Sequence, residues 1–206
     1  MPLLPSTIVL ATHNQGKIQE FEKLFSPYPT KIIPQNCLEI KEATEDYYTF
    51  IENALQKARH ASRLSGLPTI ADDSGICSVA LNNFPGIYSA RFADAQHKSD
   101  QKNNQKLSHL LSSEHDKTVY YYCCLIFITH ERDPAPIVAE GKWLGEWSPK
   151  PMGNNGFGYD PHFYLPEKNM TVAQLEIEEK NKHSHRAKAF HDLIKKLSSI
   201  YEIFPN

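Results

Sequence analysis

Residues 118–129 run Thr-Val-Tyr-Tyr-Tyr-Cys-Cys-Leu-Ile-Phe-Ile-Thr, without a charge, a proline or a glycine. A β-prone run that is apolar almost throughout suits a central strand buried on both faces, because a strand open to water on one side alternates. Such a strand needs neighbours in its sheet and helices over it. Residues 6–11 (Ser-Thr-Ile-Val-Leu-Ala) form a first short strand, and Lys31-Ile-Ile-Pro34 another. Between them Ile18, Phe21, Leu24 and Phe25 recur at helical spacing. Thr49 with Glu52 three residues on predicts a capped helix. Its inner side carries Phe50, Ala54, Leu55, Ala58 and Ala61, and it ends near Gly66, with Pro68 beyond. Residues 99–111 read as a polar helix. Residues 137–147 read as a strand pair bending at Gly141 or Gly145. Residues 186–201 read as a last helix with Phe190, Leu193, Ile194 and Leu197 inward, and Thr171 with Gln174 predicts a further helix start.

Composition narrows the class. With 40% hydrophobic and 22% charged residues the chain is an ordinary globular one, and a net charge of −2 sets up no field toward nucleic acid or membrane. No run approaches 18 apolar residues, and Met1-Pro2-Leu3-Leu4-Pro5 lacks the basic start of a secretion signal, so a cytoplasmic protein is expected. Cys37, Cys77, Cys123 and Cys124 form no C-x-x-C pair, which points to buried free thiols. Among ten histidines only His183 and His185 are close together, and no zinc pattern is present.

The chemistry concentrates around Ile70-Ala71-Asp72-Asp73-Ser74-Gly75. Adjacent strand residues face opposite ways, so Asp72 and Asp73 do different jobs. The stretch reads either as a solvated turn at Ser74-Gly75 or as a strand end presenting acids that need a cation. The loop Thr12, His13, Asn14, Gln15, Gly16 and Lys17 leads from strand to helix. Thr12 or Asn14 can cap that helix, whose free N–H groups suit an anion. Lys17 opposes the helix dipole unless an anion is bound there. The acidic stretch Glu39, Glu42, Glu45 and Asp46 either is solvated or reaches the two aspartates. Asn82 and Asn83 tolerate positive φ. Gly156-Phe157-Gly158-Tyr159-Asp160 lets a backbone approach a flat ligand, and Lys180, Lys182, His183, His185, Arg186 and Lys188 make a basic segment. A phosphate loop, an acidic centre, an aromatic loop and a basic segment together describe a Mg²⁺-dependent nucleotide hydrolase.

The ordered blocks Ala11-Thr12-His13-Asn14-Gln15-Gly16-Lys17, Thr49-Phe50-Ile51-Glu52-Asn53-Ala54, Ala71-Asp72-Asp73-Ser74-Gly75 with Pro85-Gly86-Ile87-Tyr88-Ser89-Ala90-Arg91, Gly156-Phe157-Gly158-Tyr159-Asp160-Pro161 and Ser184-His185-Arg186 carry a resemblance. The sequence resembles the non-canonical purine nucleoside triphosphate pyrophosphatase family, the inosine triphosphatases or dITP/XTP pyrophosphatases, over about residues 8 to 190. The resemblance implies hydrolysis of ITP, dITP and XTP to the monophosphate and pyrophosphate, which cleanses the nucleotide pool. It implies Mg²⁺, with Mn²⁺ as a substitute, and a homodimer that needs no nucleic acid or membrane. By matching position, Thr12, His13, Asn14, Gln15, Gly16 and Lys17 bind the triphosphate. Asp73 accepts the proton and ligates metal, Lys17 steadies the developing charge, and Ser74 touches substrate. Phe157, Gly158, Tyr159, Asp160, Lys180, His185 and Arg186 line the nucleotide pocket.

The chain departs from the family pattern before Thr49, where Glu42-Ala43-Thr44-Glu45-Asp46-Tyr47-Tyr48 stands for an acid-Thr-Gly run. Glu45 is the expected second metal ligand; if the ligand is the earlier acid, Thr44 replaces it. Asn82-Asn83, Gln174 and Ala187 stand where glycines, glutamate and glycine are frequent. The expected fold is α/β: an elongated, twisted, mixed sheet flanked by helices, two lobes with a nucleotide cleft between them, one domain over residues 1–206. Alternative readings are a pyrophosphatase for pyrimidine or modified nucleotides and a non-catalytic nucleotide-binding protein. Phe84, Tyr88 and Phe92 fit either an interface or a core.

Overall fold

The computed structural model of the protein describes residues 1–203. Its backbone falls into two compact units: Met1–Asp73, Cys123–Gly141 and the segment from Arg186 onward make the first, Ser74–Tyr122 and Lys142–His185 the second. The strands are β1 (Thr7–Ala11), β2 (Lys31–Pro34), β3 (Thr69–Ser78), β4 (Thr118–Ile128), β5 (Ile137–Trp147), β6 (Phe163–Leu165) and β7 (Met170–Thr171). They form one seven-stranded sheet in the order β2-β1-β3-β4-β5-β6-β7. β1 runs parallel to β2 and β3, with Leu10 opposite Ile70, while β6 runs antiparallel to β5 and β7. The helices are α1 (Gln15–Phe25), α2 (Phe50–Ser65), α3 (Asp100–Leu111), α4 (Ile177–His183) and α5 (His185–Leu197). The expected α/β class with a mixed, helix-flanked sheet is what the structure contains. Among the described residues no helix is long and apolar enough to cross a membrane.

Each unit has its own apolar core. In the first, Ile8 and Leu10 of β1, Phe21 and Phe25 of α1, Leu125 and Phe127 of β4, and Phe190 and Leu193 of α5 pack together. In the second, Ile76, Phe92, Leu107, Leu111, Trp143, Trp147 and Phe163 do so. Strand β4 contributes to both. From Cys123 to Ile128 every residue is buried, as the apolar run predicts. From Thr118 to Tyr122 burial alternates instead, and Tyr120 and Tyr122 are half-exposed. Tyrosine reads as apolar in a run yet carries a hydroxyl that can face water; that of Tyr120 donates to Asn83 Oδ1 at 2.8 Å.

Helix ends follow local chemistry. Asn14 caps α1, its Oδ1 accepting from Lys17 N at 3.1 Å. Thr49 caps α2, which stops at Gly66 with φ +68°, a left-handed conformation that glycine adopts without a Cβ penalty. Asn82 and Asn83 have φ of 50° and 68°, as expected of them. Cys77, Cys123 and Cys124 are buried free thiols, as expected, whereas Cys37 is exposed.

Four expectations change. Ser74-Gly75 is not a turn: β3 runs unbroken through Asp72, Asp73, Ser74 and Gly75. Gly75 is there because a Cβ would stand 2.3 Å from Gly86 O and 2.5 Å from Ser89 Oγ. Residues 137–147 are one continuous strand rather than a pair. Gly145 again marks close approach, since a Cβ would meet the Phe163 ring at 2.5 Å and Tyr164 O at 2.6 Å. The Thr171-Gln174 capping box is present but heads a 3-10 turn. Helix α5 ends at Leu197 rather than at 201. Phe92 lies in the second core, 4% exposed, and Phe84 and Tyr88 remain exposed. Gly145→Ala should therefore lower stability by about 1–3 kcal/mol through overpacking, read as a lower urea midpoint at unchanged slope; an unchanged midpoint would show that β6 yields freely.

Candidate active site

Asp72 and Asp73 are neighbours on β3 with opposite surroundings. Asp72 is 0% exposed. Its Oδ2 accepts from Arg186 Nε at 2.8 Å and from the Cys123 thiol at 3.2 Å, and its Oδ1 accepts from Lys17 Nζ. Burial alone would raise its pKa; Arg186 and Lys17 outweigh that and hold the carboxyl well below the usual range. Arg186 also binds Glu20 through Nη1. The same surroundings push the Cys123 thiol well up, by burial first and then by the Asp72 charge.

Asp73 is 7% exposed and looks the other way. Its Oδ1 accepts from Lys57 Nζ at 2.7 Å, and the same Nζ donates to Glu45 Oε1 at 2.8 Å. Burial raises the Asp73 pKa against the pull of Lys57 and Lys17, with the Glu45 charge adding to the rise. Lys57 moves up too: burial would lower it, and Asp73 and Glu45 prevail.

The acidic loop that carries Glu45 has no regular structure of its own between residues 41 and 46. It is held by one stripe of α2. Asn53 binds Tyr47 twice, Oδ1 accepting from its N–H at 3.1 Å and Nδ2 donating to its carbonyl at 3.2 Å. Gln56 donates to Thr44 Oγ1 at 3.3 Å, and the His60 ring meets Lys41 O at 3.0 Å. With Lys57 these are positions i, i+3, i+4 and i+7, a single helical face. The buried Ala54, Ala58 and Ala61 form the adjoining face. His13 of the N-terminal loop meets Ile40 O at 2.8 Å, at the start of the same loop.

Two carboxylates already share one cationic centre here, and a hard divalent cation takes such oxygen donors. Asp73 and Glu45 therefore fit a metal as a donor pair. Among the described residues no group of three or more His, Cys, Asp or Glu is placed to hold an ion. The rest of a cation's shell would come from water and phosphate oxygens, the usual habit of Mg²⁺.

The N-terminal loop leads into α1. Thr12 is buried and its Oγ1 accepts from Asn14 N at 3.2 Å; Gln15, Gly16 and Lys17 form the first helical turn. Lys17 opposes the dipole as expected, and its partner is Asp72.

In the second unit another buried acid organises the aromatic loop. Asp160 is 2% exposed. Its Oδ2 accepts from Lys180 Nζ at 2.7 Å and Phe157 N at 3.0 Å, and its Oδ1 from Tyr121 OH at 2.9 Å. Lys180 Nζ lies 4.6 Å from the Phe157 ring centroid. Tyr121 stacks on His185, centroids 4.6 Å apart, and Tyr159 OH donates to Ser89 O at 2.8 Å. Ser74 is half-buried where β3 passes into this unit.

The structure thus brings Lys17 and Arg186 to Asp72, Glu45 to Asp73, and Phe157, Lys180 and, through Tyr121, His185 to Asp160. Arg186, expected among nucleotide-lining residues, is 1% exposed in the first unit with its guanidinium on Asp72 and Glu20. Sequence reasoning missed Lys57, Glu20, Asn53 and Tyr121. Lys57 and Asn53 had a signal, the polar 53-56-57-60 stripe beside the alanines. Glu20 had a fainter one, a charge between Ile18 and Phe21 on the inner side of α1.

The sequence pattern of the Ham1 family matches residues 8–196. The chain belongs to the Ham1 family. It is 54% identical to a dITP/XTP pyrophosphatase of Neisseria meningitidis serogroup B over 94% of this chain and 98% of that protein. It is 49% identical to one of Nitrosomonas europaea over 93% and 94%. Among solved structures, a HAM1 protein from Coxiella burnetii superposes with a TM-score of 0.87 at 40% identity, covering 94% of this chain and 98% of that one. A nucleoside-triphosphatase / dITP/XTP pyrophosphatase from Mycobacterium abscessus does so at 0.69 and 30% identity, covering 95% and 98%.

For this Ham1 protein, Asp72→Asn should cost about 3 kcal/mol or more at neutral pH, because it leaves buried cations short of their carboxylate. A depressed folded-state pKa contributes stability above the ordinary carboxylate range, near ~4, and loses it as pH falls through the depressed value. The gap between wild type and variant in urea unfolding should thus be full at pH 6–8 and shrink only in strong acid. A gap that widened toward acid would overturn the assignment.

Proposed function

We propose that the protein is a pyrophosphatase for non-canonical purine nucleoside triphosphates, converting dITP, ITP and XTP to the monophosphate and pyrophosphate. The observation that carries this reading is the convergence of Asp73 and Glu45 on one cationic centre. It lies in a chain whose relatives named dITP/XTP pyrophosphatase match it over nearly their full length. Asp73 and Glu45 would hold the divalent ion, Mg²⁺ or Mn²⁺. When bound, that ion screens phosphate charge and polarises phosphate oxygens. A cytoplasmic homodimer that works on the nucleotide alone is part of the same proposal.

The geometry supports a division of labour. Asp73, its pKa raised by burial, accepts a proton from the attacking water. The water oxygen bonds to the α-phosphorus, the bond from that phosphorus to the α,β-bridging oxygen breaks, and pyrophosphate leaves. Lys17, held in place by Asp72, and the N-terminal N–H groups of α1 bind phosphate oxygens. Thr12, His13, Asn14, Gln15 and Gly16 shape that loop, with His13 tying it to the Glu45 segment. In the second unit the Phe157 ring supplies a face for the base, and Ser74, Gly158, Tyr159, Asp160 and His185 shape its surroundings. Lys180, whose ammonium can donate but not accept, suits the 6-oxygen of hypoxanthine or xanthine and opposes the 6-amino group of adenine. Arg186 serves through Asp72.

The test is pyrophosphate release with Mg²⁺ from dITP, XTP, ATP, GTP and dTTP. Strong release from dITP and XTP, with little from ATP and GTP, is the expected result. Asp73→Asn should lose at least about a hundredfold in turnover while its circular dichroism stays that of the wild type. Release chiefly from dTTP would discard the purine site, and undiminished turnover in the variant would discard Asp73 as the proton acceptor.

A further inference from the structure

One residue of the aromatic loop is held at both of its backbone polar groups. Gly158 N donates to Asp100 Oδ2 at 2.8 Å, and Gly158 O accepts from Asn104 Nδ2 at 2.9 Å. Asp100 and Asn104 are one turn apart on α3, the i, i+4 spacing that puts two side chains on the same face. Gly158 has φ +66°, and a Cβ there would meet nothing within 4 Å. Glycine is therefore required by the backbone conformation, and α3 fixes that conformation. Phe157, just before it, is fixed on its own N–H by Asp160, and Tyr159, just after it, by Ser89.

Asn104 is an uneconomical choice for this position. It lies on the buried side of α3 with Leu107 and Leu111, 9% exposed. Among the described residues its buried Oδ1 has no hydrogen-bond partner. A buried acceptor left unpaired destabilises the fold, and an apolar side chain of similar volume would avoid that. The bond to Gly158 O offsets that loss.

We infer that Asp100 and Asn104 are positioning residues for the base: they set the Phe157-Gly158 segment, and with it base affinity and discrimination, without touching the nucleotide. This rests on the reading that Phe157 faces the base. Asn104→Leu removes the donor together with the unpaired acceptor, so the fold should be kept or strengthened. Asp100→Ala removes the other anchor.

The experiment measures kcat and KM for dITP and dATP in wild type, both single variants and the double variant, alongside thermal midpoints and amide exchange at Gly158. The expected result for Asn104→Leu is a KM for dITP raised about tenfold, the size of one lost hydrogen bond. Its kcat should stay within about twofold, its midpoint should not fall, its Gly158 exchange should quicken, and its preference for dITP over dATP should narrow. A purely structural role would lower the midpoint and reduce kcat through lost active protein at constant KM; that pattern overturns the inference. So does an active wild type whose double variant keeps KM and preference. A wild type that releases pyrophosphate from none of the nucleotides overturns the purine reading itself, and the clamp's role with it.

Discussion

The ionised carboxylate of Asp72, with no access to solvent, sets the terms for much of the first unit. A bare charge at that depth would be far too costly to keep. It persists because a guanidinium and an ammonium reach it from two helices, and a second acid, Glu20, shares the guanidinium. The arrangement joins α1, β3 and α5, which lie far apart along the chain. It also fixes where the Lys17 ammonium sits at the first turn of α1. A buried acid thereby decides where the cation proposed to bind phosphate points.

The second unit repeats the principle with different partners. Asp160 collects a tyrosine hydroxyl, a lysine ammonium and a backbone N–H, each from a separate segment. In both units a buried acid orients the groups suited to ligand binding, and the apolar core around it supplies rigidity. Side chains on loops gain fixed positions because helices reach out to them: α2 does this for the Glu45 loop and α3 for the Gly158 loop.

Much of this was legible in the sequence because it is local. The two-residue strand period separated Asp72 from Asp73, the capping residues Asn14 and Thr49 start their helices as their chemistry dictates, and Asn82-Asn83 took the positive φ that asparagine allows. Glycine was the recurrent source of error. Gly75 and Gly145 read as a turn and a bend, whereas each makes room for a neighbouring backbone or ring, and a missing side chain looks the same in either case. The ionic partners were out of reach for another reason. Arg186 and Glu20 stand 166 positions apart, and no periodicity links residues that only the folded chain makes neighbours. Lys57 was hidden by its setting, one lysine among several polar residues on a helix whose alanines drew the eye.

The lysine between Asp73 and Glu45 has a practical consequence. It is a counter-ion carried by the chain itself, so the two acids keep their spacing without help from solution. Chelating buffers should therefore leave the fold untouched, because the pairing of these acids draws on no dissolved ion.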